Sequence, residues 1–132
     1  MLKAVYPAVF VPSEEKEGRF NIYFPDLPGA FSYGDSLSEA LYMARDCACL
    51  WLADELNEGN SLPKPSKAED IKPEGNGFIQ YVLCDMDEYM RTHEKKTVRK
   101  NVTIPAWLNI QGEKLGLNFS EVLTQALMQK VS

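Results

Sequence analysis

Near the end of the 132-residue chain, Arg99, Asn101 and Thr103 alternate with Lys100, Val102 and Ile104 in the stretch that opens at Val98. Alternation at period two predicts a strand, whose successive side chains point to opposite faces. With Val102 and Ile104 turned to a core, Arg99, Asn101 and Thr103 point outward. These types can read a duplex: Asn pairs with adenine, Arg with guanine or phosphate, and Thr with a base edge or the thymine methyl. Lys100 belongs to the same basic stretch, and Asn118 to Ser120 begin a later helix whose free N–H groups suit a phosphate.

Elsewhere the chemistry is thin. Cys47 and Cys49 lie two apart in a helical pattern, about 200° around the axis, too far round to share a metal. With Cys84 they are read as small, reduced, partly buried residues. His93 is the single histidine and has no nucleophile or acid-base partner in the sequence pattern. There is no glycine-rich phosphate loop and no zinc spacing, so no catalytic residue, metal or cofactor is expected.

Charge divides the chain. Residues 1–94 hold 8 Lys+Arg against 17 Asp+Glu, a net of -9, whereas residues 95–132 hold 6 against 2, a net of +4. A basic C-terminal piece can approach phosphates; an acidic N-terminal piece repels nucleic acid and attracts a basic protein. No apolar run is long enough to span a membrane and the N-terminus lacks a signal-peptide pattern, so a cytoplasmic protein is expected.

The elements that must position these groups follow from periodicity. Residues 2–11 predict a strand, with Pro7 arguing for an edge position or an irregularity. Residues 19–24 return antiparallel with Phe20, Ile22 and Phe24 on one face, and 30–34 supply a short third strand. Ser36 and Glu39 form a capping box for a helix whose stripe is Leu37, Ala40, Leu41, Ala44, Ala48, Trp51 and Leu52, stopping at 57–59. A surface loop covers 60–77, and the apolar run 77–85 predicts a strand well inside the sheet. The reading is α+β: a β-β-β-α-β domain over 1–90, a polar linker over 91–97, and a β-α-α domain over 98–132.

In that last domain Pro105 opens a helix through Leu115, with Gly112 inside it where two backbones could approach closely. Gly116 ends it, and Asn118 caps a second helix. A lone strand with two short helices cannot bury its edge or apolar face. Two copies can, pairing antiparallel about a two-fold axis as a ribbon on four helices, the ribbon-helix-helix architecture that this segment resembles. Its expected dimer core is Val102, Ile104, Trp107, Leu108, Leu115, Val122, Leu123, Ala126 and Leu127. Such a ribbon fits the major groove of double-stranded DNA. Whether dimers pair further into tetramers stays open.

The sequence resembles the HicB family of antitoxins across nearly its whole length. The resemblance rests on Tyr23-Phe24-Pro25-Asp26-Leu27-Pro28-Gly29, on Gly34-Asp35-Ser36 followed by Glu39-Ala40, and on Leu62-Pro63-Lys64-Pro65-Ser66. It implies a degenerate RNase H-like N-terminal domain that binds a HicA-like toxin, a small ribonuclease that cleaves messenger RNA. It also implies a C-terminal DNA-binding domain that represses the protein's own operon. Pro25, Asp26, Leu27, Pro28 and Gly29, with the edge near Pro7, are the expected toxin contacts. RNase H-like sites hold two Mg²⁺ on clustered carboxylates, for which Asp26, Asp35, Asp85 and Asp87 are the candidates here. Asp26 lies in a Pro-bounded loop and Asp35 precedes a helix cap, so both have structural explanations and no enzyme is expected. The alternative reading is a stand-alone ribbon-helix-helix regulator whose N-terminal domain senses a small ligand.

Overall fold

The computed structural model describes residues 2–93 and 96–131. Its strands are β1 (Lys3–Pro12), β2 (Phe20–Tyr23), β3 (Phe31–Gly34) and β4 (Phe78–Asp85); its helices are α1 (Leu37–Asn57), α2 (Met86–His93), α3 (Ala106–Lys114) and α4 (Phe119–Val131). The strands form one antiparallel sheet in the order β3-β2-β1-β4. α1 carries the chain from one edge of that sheet to the other.

Strand alternation sorts the sheet into two faces. Tyr6, Ala8 and Phe10 of β1 join Ile22, Val82 and Cys84 in a core closed by Ala40, Ala44, Ala48, Cys49 and Leu52 of α1. Alanine at four-residue spacing lets the helix axis settle close to the strands. The Ser36 hydroxyl accepts the Glu39 N–H at 3.2 Å and starts α1 as its capping residue.

Four expectations are corrected. β4 is an edge strand, not an interior one: its apolar run alternates between buried Val82 and Cys84 and exposed Tyr81 and Leu83. β1, conversely, is an inner strand. Pro7 is tolerated there because it pairs only with Tyr81 of β4, while the β2 ladder begins at Val9, so its missing N–H breaks no bond on that side. Leu37 and Leu41 of the expected α1 stripe are exposed, and Cys49 and Ala53 are buried instead. Finally, α2 takes in Arg91 to His93, the first part of the expected linker, while Glu94 and Lys95 lie outside the described residues.

α2 is short but well anchored. The Asp85 carboxylate accepts the Glu88 N–H at 3.1 Å, Asp87 accepts the Leu2 N–H at 3.0 Å, and the Leu2 carbonyl accepts from Met86 N–H at 2.9 Å. Met86 is fully buried, and Tyr89 and Met90 pack against the core one turn later. His93 ends this helix with its ring stacked on Tyr89 at 4.1 Å.

Residues 96–105 belong to no helix and to no strand ladder, so the strand expected at 98–104 is not formed within one chain. α3 and α4 meet where the Phe119 ring lies against Gly112, a site that a side chain would fill. The close approach is thus ring against backbone. Gly116 turns the chain at φ +67°, and the Asn118 carboxamide oxygen accepts the Glu121 N–H at 3.1 Å as the cap of α4.

Candidate functional site

The three sequence motifs of the N-terminal half are built into one another. Asp26 accepts two bonds from Ser66, from its N–H at 2.9 Å and its hydroxyl at 2.5 Å, so the 23–29 loop is tied to the 62–66 segment. Tyr6 donates from its hydroxyl to the Pro63 carbonyl at 2.6 Å, and burial pushes its pKa up to about 12. Leu27 is fully buried, and the Trp51 indole donates to the Pro28 carbonyl at 3.0 Å. Of the expected toxin-contacting loop, Pro25, Pro28 and Gly29 are therefore exposed while Asp26 and Leu27 serve the fold.

The other carboxylates are likewise engaged. Asp35 takes the Arg19 guanidinium at 2.6 Å and the Lys16 ammonium at 3.1 Å, and these bonds hold its carboxyl below the usual range. Asp85 and Asp87 cap and anchor α2 as described, and Asp85 also faces Lys3 at 3.8 Å. Among the described residues no three His, Cys, Asp or Glu side chains converge as a metal site would need. Cys49 of α1 and Cys84 of β4 are free thiols that meet inside the core, where the hydrogen bond with Cys49 and then burial push the Cys84 thiol up. Cys47 points elsewhere, towards the Phe31 carbonyl at 3.6 Å.

Two exposed apolar surfaces stand out among the described residues. One is the C-terminal segment, where Val102, Ile104, Trp107, Leu108, Leu115, Val122, Leu123 and Leu127 are all exposed, Trp107 by 66 %. Arg99, Lys100, Asn101 and Thr103 are exposed beside them, so within one chain both sides of this stretch face solvent. Ala126 and Ser120 are exposed on α4, and Asn118 is committed to its cap.

The second is the sheet face opposite α1, which the sequence reading missed. It carries Val5 and Leu83 in register, then Pro7 with Tyr81, then Ile79, Val9, Tyr23 and Phe31 in one row across all four strands. Phe31 is 73 % exposed, Tyr81 55 % and Leu83 50 %, whereas Pro7 and Val9 form a buried floor. Arg19 lies over the Tyr33 ring at 4.5 Å on the same side. The signal was present in β4, whose Tyr81 and Leu83 alternate with Val82 and Cys84.

Two hollows mark the N-terminal half, about 250 Å³ between α1 and α2 and about 360 Å³ beside the β1–β2 turn. Charged and polar groups such as Arg45, Asp46 and Glu88, or Glu14 and Glu15, line much of each. No helix among the described residues is long and apolar enough to cross a membrane.

A family model described as the HicB-like antitoxin of bacterial toxin-antitoxin systems matches residues 6–114, from β1 through α3. An uncharacterized 14.9 kDa protein of Haemophilus phage HP1 is 34 % identical over 98 residues, covering 72 % of this chain and 71 % of that protein. Among solved structures, a chain of a toxin-antitoxin complex from Streptococcus pneumoniae superposes with a TM-score of 0.62 at 28 % identity, covering 98 % of this chain and 99 % of that one. The crystal structure of antitoxin HicB3 gives 0.53 at 25 % identity over 97 % and 98 %. The Burkholderia pseudomallei antitoxin HicB shares the fold, with a TM-score of 0.56 at 19 % identity over the full length of both chains. This chain belongs to the HicB-like antitoxin family of bacterial toxin-antitoxin systems.

Proposed function

We propose that this chain is a non-catalytic antitoxin that neutralises a HicA-like messenger-RNA-cleaving ribonuclease with its acidic N-terminal domain. As a homodimer joined through a C-terminal ribbon-helix-helix domain, it also binds operator DNA and represses its own operon in the cytoplasm. The observation that carries this reading is the C-terminal segment: basic, unpaired at 98–104, and exposing every large apolar side chain from Val98 to Leu127. Exposed apolar area of that extent marks an interaction site, and at about 25 cal/mol per Å² its burial against a second copy is strongly favourable. Pairing two such segments would also give strand 98–104 its missing ladder.

In the dimer so formed, Val102, Ile104, Trp107, Leu108, Leu115, Val122, Leu123, Ala126 and Leu127 make the core. Arg99, Asn101 and Thr103 face the groove, Lys100 adds charge, and the α4 start at Asn118 and Ser120 meets phosphate. On the toxin side, the charge of -9 over residues 1–94 suits a partner whose own surface is built to hold RNA. The solved relative from a toxin-antitoxin complex supports that assignment. Four candidate carboxylates engaged in structural bonds support a non-catalytic role.

The test is sedimentation of the full chain together with a gel shift on the DNA upstream of its own gene. A dimer that retards this DNA and not a scrambled duplex is expected. A monomer at micromolar concentration, or equal retardation of both duplexes, would overturn the C-terminal half of the proposal.

A further inference from the structure

The open face of the sheet has the make-up of a protein interface. Tyr23, Phe31, Tyr33 and Tyr81 are aromatic, and aromatic side chains dominate the binding energy of interface centres. From strand spacing and rise the face covers roughly 300 Å², less than half of the ~800 Å² that one partner gives to a standard interface. A partner must therefore also engage the rim.

The rim decides which partner. The hollow of about 360 Å³ beside the β1–β2 turn contains Val11 and Asn21, both on the open face, together with Glu14 and Glu15. Glu74 stands close enough to Tyr23 to add to the upward shift that burial gives its hydroxyl. Of the cations nearby, Lys16 and Arg19 share the single carboxylate of Asp35 and Lys3 faces Asp85. With Lys72 these make four positive charges against the six carboxylates of Glu14, Glu15, Glu17, Asp35, Glu74 and Asp85, so the rim carries a net -2. A second copy would bring the same negative rim against it, and nucleic acid would be repelled.

We infer that this open face is the docking surface for a cationic protein presenting an apolar patch ringed by lysine and arginine. The inference rests on the proposed function, in which that protein is the toxin, and it names the surface used. Tyr81, Leu83 and Phe31 enter the apolar patch, and Glu14 and Glu15 receive cationic side chains in the hollow. The exposed apolar residues of α1, such as Tyr42 and Leu50, lie across the molecule beside Asp46 and Arg45 and take no part.

The experiment titrates full-length chain with a purified HicA-like toxin, the chain being used in four forms. Unaltered chain should bind. Tyr81→Thr with Leu83→Thr, which keeps strand-forming residues at exposed positions, should weaken binding by about tenfold or more. Tyr42→Thr with Leu50→Thr should change it less than about twofold, as expected for surface changes outside an interface. Glu14→Lys with Glu15→Lys should slow association and flatten its salt dependence. If the unaltered chain fails to bind, the proposed toxin partnership is wrong and this inference falls with it. If it binds but the sheet-face variant, folded by circular dichroism, binds as tightly, the partnership stands and the docking surface is overturned. Should that variant not fold, Phe31→Thr at the opposite edge takes its place with the same two outcomes.

Discussion

Gly34, Asp35 and Ser36 stand in succession and each has a different physical task. Gly34 ends β3 where the backbone of Ala40 passes, and a β-carbon there would collide with the Ala40 nitrogen and α-carbon. Gly34→Ala should therefore destabilise the protein by about 1–3 kcal/mol or more, since α1 and β3 must move apart; thermal unfolding followed by circular dichroism measures it. Asp35 ties the β1–β2 turn to the α1 start through Lys16 and Arg19, and Ser36 caps the helix. Because the folded Asp35 carboxyl titrates below its unfolded value, its stabilisation is present above the ordinary carboxylate range and lost as pH falls through the lowered folded value. The stability gap between the unaltered protein and Asp35→Asn should be constant near neutral pH and close below about pH 4. A gap unchanged down to about pH 2 would show that the ion pairs contribute nothing. The resemblance motif was legible as letters; that Gly34 is required by a neighbouring backbone became visible only with α1 laid on β3.

At the level of elements, β1 to β3 and α1 were readable because each combines a periodic apolar pattern with its own stop signals. Ile22 and Phe24 fell on the buried face as expected, and Ser36 caps α1 as expected. What the pattern cannot encode is which strands become neighbours. β4 reads as an inner strand because Ile79, Tyr81 and Leu83 are apolar, yet they are apolar on a face left open. α2 escaped detection because Met86, Tyr89 and Met90 make only one turn of helical spacing in an otherwise polar segment. The stretch 98–104 poses the opposite case: its alternating pattern is clear, it forms no strand within one chain, and the proposed function gives it a ladder in a second copy. Its register is tested by gel shift. Asn101→Ala should cost roughly 1–3 kcal/mol of operator binding per half-site while leaving the fold intact. Val102→Asp should instead prevent dimer assembly, since it places a charge between ribbon and helices. Normal operator binding by Asn101→Ala, with Val102→Ala folded and indiscriminate, would invert the register.

The whole molecule is two surfaces of opposite charge on one chain. An acidic half with an open aromatic sheet face and a basic half with exposed apolar helices do not suit the same partner. Composition showed the charge reversal directly. The proposed function requires this chain to silence a ribonuclease. The direct measurement is cleavage of a labelled messenger RNA by a purified HicA-like toxin, with increasing amounts of full-length chain and with Mg²⁺ present throughout. Cleavage should fall in proportion to added chain and stop near stoichiometric equivalence, while the chain by itself leaves the RNA intact. Cleavage that persists at a large excess of chain would contradict the account, as would RNA cut by the chain alone.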